Sequence, residues 1–482
     1  QKPQEARVQN FGLVFFLVPS LLMESPAMLS VPMSRNHKRR LTESSVRRED
    51  MEEAVKHLPS PYGRQATDPS GDWSRVAIKR FMRMSVPPDG LAKMHKMHEL
   101  LKAEGNLCNI LEDTSETAID KVWTPSCWHI FPQMPARNKE SAHAVRRWQV
   151  LPKGANGASL LNRFGAAAVN TKGCKGWGDR SIGQDCCSIS ILPSGWSVFC
   201  LFDGHGDSGH WPAQRAARTL PYFLQASSSC STMLKQGKIK AAVLHAFEKV
   251  QMDLVKQSLQ EDIPLQVCGC TAVCVLQHPD YDKVWVANCG DSKAVMLVPG
   301  EPGVVAETTD HKPSLDSERE RVERLGLELQ TTIHEDGFVE ERLFVAGEDF
   351  PGLCMTRSLG DLCVKQHGIT AEPEIVTWKI RETESYMLVA SDGVWDFLSC
   401  DEVSDIVLRC LANGTLEEAT LKLLAAAKEK WGEYDEWYCD DITLILIPLH
   451  KHRQLAGVPD AAWKLEEGCC AAGVRKAGCE LM

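Results

Sequence analysis

An α+β fold with helices packed outside sheets follows from three features of this sequence. Short apolar runs rich in β-branched and aromatic residues recur, too short for helices and suited to strands buried on both faces. They come in blocks interrupted by pairs of segments with helical apolar spacing. Finally, an apolar share of 43% over 482 residues is enough for a sizeable core. No internal repeat is present.

Taken in order, residues 1–155 read as a largely irregular extension of charge clusters and Pro- and Ser-containing breaks. Residues 11–23 are strongly apolar, but they reach only about two-thirds of the roughly 20 residues a spanning helix needs and contain Pro19. They read as an interaction segment or translated leader, with a signal-peptide core as the alternative. The basic run at Arg35, Lys38, Arg39 and Arg40 reads as solvated, with a nuclear address or an anionic-lipid contact as alternatives. Leu91, Met94, Met97, Leu100 and Leu101 predict a helix over 91–103 with a docking face for the neighbouring domain.

The organised domain spans 156–450. A Gly-rich stretch, 166–178, leads through Asp179 and Arg180 to Gln184 and Asp185 and then to a strand over 186–192. After a strand at 198–202 come helices at 211–224 and 239–259, the second with an apolar stripe of Ala242, Ala246, Phe247, Val250 and Leu254. Strands 270–277 and 283–288 flank a hairpin turn at 278–282, and 293–298 continues the sheet. A helix over 314–327 starts at Ser314, carries Asp316 and Glu318 in its first turns and ends near Gly326. Residues 335–361 read as an irregular insertion. Strands 374–379 and 386–390, helices 402–411 and 416–431, and a last strand over 442–449 complete the domain, and 451–482 form a Cys-containing tail.

A net charge of −10 argues against binding to a phosphate backbone, so no nucleic acid partner is expected. The 19 cysteines, scattered through strands and helices (Cys200, Cys274, Cys354) without metal-ligand spacing, fit reduced thiols in a cytoplasmic setting. A monomer is expected.

The chemistry lies where strands stop. Asp203 ends the 198–202 run, and Gly204 and Gly206 let the backbone turn so that a carboxylate, a peptide carbonyl and the His205 imidazole meet. Alone, this also reads as a turn with a solvated acid. The design recurs, however: Asp392-Gly393 follows one strand, Cys289-Gly290-Asp291 follows another, and Asp440-Asp441 precedes the last. Converging carboxylates would repel and partly protonate unless cations sat between them. Oxygen donors without thiolate or imidazole partners select Mg²⁺ or Mn²⁺.

Eight motifs stand in one order: Phe202-Asp203-Gly204-His205-Gly206, Gly269-Cys270-Thr271-Ala272, Ala287-Asn288-Cys289-Gly290-Asp291-Ser292-Lys293-Ala294, Asp310-His311-Lys312-Pro313, Arg357-Ser358-Leu359-Gly360-Asp361, Glu372-Pro373-Glu374, Ser391-Asp392-Gly393-Val394-Trp395-Asp396 and Asp440-Asp441-Ile442-Thr443. Together they resemble the PPM-type, metal-dependent serine/threonine protein phosphatases, the protein phosphatase 2C family, over residues 160–450. The resemblance implies a two-sheet antiparallel β-sandwich flanked by helices and a phosphoprotein substrate. It also implies two Mn²⁺ or Mg²⁺ ions bridged by Asp203, one of them bound by the Gly204 carbonyl, with Asp392 and Asp440 completing the first site. Gln184 and Asp185 fall at the second ion. Arg180 is implied as the phosphate-gripping guanidinium and His205 as the general acid. Asp291 and Asp396 match a weaker third cation position, with N-cap or turn acids as the alternative.

Phosphate monoesters hydrolyse extremely slowly uncatalysed, so a site must ready a water, spread charge and protonate the leaving oxygen. Two divalent ions would activate the water, a guanidinium fork would take two phosphoryl oxygens, and an imidazolium would donate the proton. No Cys nucleophile followed by an Arg loop is present. Four positions depart from the family pattern. Gln184 replaces a frequent acid and predicts weaker metal binding, Cys268 and Cys270 replace small serines, and Asp441 replaces a frequent Asn. The final residues Cys479-Glu480-Leu481-Met482 fit a prenylation signal, with Cys469 and Cys470 as acylation sites, which would anchor the chain to a membrane by two lipids. The rival function is an inert phosphatase-fold scaffold binding phosphoproteins or a kinase, which should lack one of Asp203, Asp392 or Asp440. Hydrolysis of small phosphate esters is a further alternative.

Overall fold

A computed structural model describes residues 112–123, 127–130, 166–176, 179, 181–333, 339–435 and 437–449, with backbone only for 120–123 and 127–130. Arg180, the apolar segment 11–23, the basic run, the helix expected over 91–103 and the tail cysteines lie outside the described residues.

Two antiparallel sheets carry the fold. One has the strand order Cys127–Ile130, Cys186–Ile191, Ser197–Phe202, Ala272–Gln277, Lys283–Cys289, Glu374–Lys379, and the other Ala306–Glu307, Lys293–Leu297, Ser385–Ala390, Ile442–Leu449, Ala167–Thr171. Successive side chains of a strand point to opposite faces, and the core divides accordingly. Cys187, Ile189, Phe199, Leu201, Val275 and Val286 of the first sheet pack against Met296, Met387, Val389, Ile445 and Ile447 of the second. The alternate residues Val198, Cys200, Phe202, Cys274 and Leu276 face helices His210–Ala226 and Ile239–Glu261. On the far side, Val295, Leu388, Leu444 and Leu446 meet helices Cys400–Leu411 and Leu416–Tyr434. Because strands Cys186–Ile191, Ser197–Phe202, Ala272–Gln277, Ser385–Ala390 and Ile442–Leu449 are covered on both faces, most read as continuous apolar runs, and each such Phe, Leu or Ile contributes about 1.5–3 kcal/mol by leaving water.

Three expectations change. Residues 335–361 are not an irregular insertion: Val339–Val345 pairs with Leu327–Ile333 and with Pro351–Leu353 in a three-stranded sheet. That sheet has its own small core of Val322, Leu327, Leu343, Phe350, Leu353 and Ile369; its other face carries Glu328, Gln330 and Arg342, and Thr331 and Glu341 interrupt the apolar face, so the alternation is blurred. The helix expected over 314–327 is Asp316–Arg324, because Gly326 takes φ +93° and Leu327 already belongs to the strand. Lastly, strand Cys127–Ile130 pairs with Cys186–Ile191, and helix Glu116–Trp123 packs on His210–Ala226. The packed domain therefore includes chain before residue 156. Arg215, Thr114 and Glu116 secure that segment: the buried guanidinium donates to Glu116 Oε1 (2.6 Å), the Thr114 carbonyl (2.7 Å) and Asp253.

Among the described residues no helix is long and apolar enough to cross a membrane, and every described cysteine side chain is a free thiol.

Candidate active site

Antiparallel pairing brings the acids to one rim. In the first sheet Cys186 lies opposite Phe202, and Ala272 opposite Cys289. Asp185 before one strand, Asp203 after its neighbour and Asp291 after a third therefore sit at the same end. In the second sheet Ala390 pairs with Leu444 and Ile442 with Thr171, which puts Asp392 after one strand and Asp440 before the next at a common end.

Hydrogen bonds fix the loops that carry them. Asp203 N donates to Thr271 Oγ1 (3.1 Å), and Thr271 N donates back to the Asp203 carbonyl (2.8 Å). Thr271 Oγ1 also meets Ser292 Oγ at 2.7 Å, so the Gly-Cys-Thr-Ala and Asp-Ser-Lys motifs brace the same backbone. Asp185 Oδ2 accepts from Ser391 Oγ (2.8 Å), which links it to the residue before Asp392. Trp431, the largest fully buried side chain, donates from Nε1 to the Gly393 carbonyl at 2.7 Å. A Cβ on Gly393 would fall 2.1 Å from the Asp441 carbonyl, so only glycine lets these loops approach.

Asp441 joins three segments. Its Oδ1 accepts from Gly173 N and its Oδ2 from Gln184 N, both at 2.6 Å, so the acid in place of the frequent Asn uses both oxygens on backbone donors. The Gln184 side chain donates from Nε2 to the Gly206 carbonyl (2.5 Å) and closes the turn that holds His205. Gly206 has φ +79°, and a Cβ there would meet the Val267 carbonyl at 2.3 Å.

The acids feel each other. Burial first, then the charges of Asp392, Asp185 and Asp440, hold the Asp203 carboxyl well above the usual carboxylate range. Asp392 is raised in the same way by burial, Asp396 and Asp440, and Asp185 is pushed up to about 7 by burial and Asp441. Two lysines answer this charge. Lys175 forms an ion pair with Asp440, and Lys312 Nζ lies 3.7 Å from both Asp291 Oδ2 and Asp396 Oδ1. Burial works against the Lys312 charge, yet Asp291, Asp396 and Asp392 hold its ammonium protonated well above the ordinary lysine value. Asp291 Oδ1 is buried without a hydrogen-bond partner among the described residues. No three His, Cys, Asp or Glu side chains among the described residues close into a tight donor cage. The acids are neighbours with ammonium groups among them.

Sequence reasoning gave no role to Asp361, although its motif stood in view. His205 Nε2 donates to Asp361 Oδ2 at 2.7 Å, and Ser358 Oγ donates to the same oxygen at 2.5 Å. Asp361 has φ +47°, a conformation costing a non-glycine residue on the order of 1 kcal/mol. Upstream, Glu318 accepts from Arg321 (2.6 Å), Arg357 (2.7 Å) and Thr356 Oγ1 (2.6 Å), which pins the chain entering this loop.

The family model for protein phosphatase 2C matches residues 180–432. The chain is 30% identical over 300 residues to a rice protein named Probable protein phosphatase 2C 12, covering 53% of this chain and 74% of that one. It is 32% identical over 317 residues to a mouse protein named Probable protein phosphatase 1N, covering 64% and 70%. A solved serine-threonine phosphatase 2C from Toxoplasma gondii superposes with a TM-score of 0.50 at 18% identity, covering 68% of this chain and all of that one, which bears on the fold alone.

Proposed function

Because the chain belongs to the protein phosphatase 2C family and is a protein serine/threonine phosphatase, we propose that it hydrolyses phosphoserine and phosphothreonine with two Mn²⁺ or Mg²⁺ ions. The observation that carries this reading is the arrival of Asp203 and Asp185 from one sheet and Asp392 and Asp440 from the other at a single rim. The residues suit such ions: the donors are oxygens, and their mutual repulsion is the kind a divalent cation relieves. Asp203, the Gly204 carbonyl, Asp392 and Asp440 would hold one ion, with Asp203, Asp185 and Gln184 toward the second. When bound, the ions supply an acidified water and neutralise phosphoryl charge.

The chain's own residues divide the remaining work. Asp441 and Thr271 hold the loops that present the acids, so the carboxylates need little rearrangement. Arg180, placed by sequence alone, would grip two phosphoryl oxygens with its planar fork. His205 would donate a proton to the departing serine or threonine oxygen. Hydrolysis of a phosphoserine peptide with Mn²⁺, set beside Asp203→Ala and beside calorimetric Mn²⁺ binding, tests the reading. Loss of both turnover and a bound ion in the variant supports it, while equal, metal-independent rates overturn it. Lipid attachment at Cys479 with Cys469 or Cys470 is part of the same proposal, and an unmodified intact mass from cells would remove it.

A further inference from the structure

Two cysteines stand opposite each other beside the acid-bearing rim. The short strands Cys174–Lys175 and Tyr438–Cys439 pair antiparallel, with Cys174 opposite Cys439 and Lys175 opposite Tyr438. Residues directly opposite in such a ladder project to the same face of it. The neighbouring pair shows this, since the Lys175 ammonium lies over the Tyr438 ring, 5.7 Å from its centroid. Cys174 and Cys439 therefore share the other face. Opposite residues have Cα atoms about 4.5 or 5.5 Å apart, both inside the roughly 4.4–6.8 Å that a disulfide spans. Both are free thiols: Cys439 Sγ donates to the Asp440 carbonyl and Cys174 Sγ to the Gly176 carbonyl, each at 3.3 Å.

A second opposed pair shows what sets this one apart. Cys200 lies opposite Cys274 in the first sheet with the sulfurs 3.5 Å apart, but both residues are fully buried, and buried thiols are inert. Cys174 is partly exposed on a strand of two residues, so one member of its pair meets solvent. Cys439 is 6% exposed, and it needs to reach only its neighbour.

We propose that Cys174 and Cys439 form a thiol–disulfide modification site, taking a small-molecule disulfide, oxidised glutathione, as the oxidant. The Cys174 sulfur attacks one sulfur of the oxidant, whose S–S bond breaks and releases one glutathione. The Cys439 sulfur then attacks Cys174 in the mixed disulfide and expels the second glutathione. Two protein thiols are oxidised, one glutathione disulfide is reduced, and the two thiol protons leave on the two glutathiones.

The bond acts on Asp440, the residue after Cys439. Opposed Cβ atoms stand about 4.5–5.5 Å apart, and a disulfide draws them to about 3.8 Å. The chain has no slack here: a Cβ on Gly173 would fall 2.1 Å from the Cys439 carbonyl and 2.3 Å from the Asp440 carbonyl. The thiol contact to the Asp440 carbonyl is given up as well. The pull therefore shifts the Asp440 backbone and the carboxylate it carries. This consequence rests on the metal-ligand reading of Asp440, whereas the disulfide itself does not.

The test equilibrates the full chain, folded, in glutathione buffers of graded poise, followed by acid quench, alkylation and tryptic digestion. Cys174 falls in peptide 173–175 and Cys439 in peptide 431–451, neither with another cysteine, so the linked pair has its own mass. That link is expected to form within the glutathione range while Cys200 and Cys274 are recovered as thiols. Thiols at 174 and 439 in the most oxidised buffer, or a link that appears only in urea, would overturn the proposal. Calorimetric Mn²⁺ titration reads the consequence: affinity about tenfold lower in the oxidised form, restored by reduction, and unchanged by the same buffers in Cys174→Ala. Equal affinity in both forms would overturn the hold on Asp440. A reduced protein that binds no Mn²⁺ would overturn the metal reading and leave the disulfide standing.

Discussion

The ammonium of Lys312 stands 3.7 Å from Asp291 Oδ2, a carboxylate buried at the rim where a third cation was expected. Lys312 also reaches Asp396 Oδ1 at the same distance, so a tethered charge already serves this position. Removing it as Lys312→Met should open the position to a divalent ion. A unit charge near 4 Å is worth on the order of 4 kcal/mol at an effective dielectric of about 20, so an affinity gain of at least about tenfold should survive screening. Calorimetric titration with Mn²⁺ should find one more bound ion in the variant than in wild type; equal stoichiometry would show that the lysine does not compete.

Gln184→Glu tests two opposed effects. The substitution removes the Nε2 donor and sets a carboxylate against the Gly206 carbonyl. Melting in chelator should therefore show a loss of about 1–2 kcal/mol. The added negative charge should at the same time lower the Mn²⁺ concentration needed for half-maximal activity. Unchanged metal dependence would mean that residue 184 does not face an ion.

Much of this site was legible in the sequence, and the reason is geometric. A buried strand shows as an apolar run, and an acid followed by glycine marks where it leaves the core, so Asp203 and Asp392 identified themselves as Asp440 did on the entering side. Partnership was not legible. Asp361 and His205 are 156 positions apart, and nothing in Leu359-Gly360-Asp361 announces that the acid will be left-handed and aimed at an imidazole. The three-stranded sheet of Leu327–Ile333 was missed because only one face of it is apolar and that face is short. Strand Cys127–Ile130 spans four residues, too few for periodicity to register, and it is held by pairing to an edge already in place.

Glu318 gives a pH-dependent stability. Burial tends to raise its carboxyl, but the hydrogen bonds from Arg321, Arg357 and Thr356 hold it well below the usual range. A lowered native pKa stabilises the fold above the unfolded value of about 4.3 and loses that contribution as pH falls below it. Glu318→Gln should thus lower stability at pH 7 by about 3 kcal/mol, since two guanidinium groups lose their partner. The gap to wild type should narrow as chemical denaturation is repeated from about pH 4.5 downward. A gap independent of pH would mean that the loss comes from packing.

Trp431→Phe removes the Nε1 donor to Gly393 while keeping an aromatic ring against Phe397 and Tyr438. The stranded carbonyl and the lost volume should cost about 2 kcal/mol in thermal or urea unfolding. Because Gly393 follows Asp392, Mn²⁺ affinity should fall as well. A stability loss with unaltered Mn²⁺ affinity would separate the helix from the acid it backs.

Gathering Asp185, Asp203, Asp291, Asp392 and Asp440 on one rim leaves the opposite edge of both sheets to turns. There the chain merely turns, at 192–196, 278–282, 298–305 and 380–384, between strands whose register is set elsewhere. The first two are packed, with Trp196 stacked on Tyr281 and His278 Nε2 at 3.1 Å from the Ser194 carbonyl, but 299–302 and 381–384 are exposed, and added length at those two would cost little beyond loop entropy, growing by about 0.6 kcal/mol per doubling. A reporter peptide or fluorescent insert is best placed there, whereas one residue added inside strand Ser197–Phe202 would displace Asp203 by about 3.3 Å and turn its neighbours inside out.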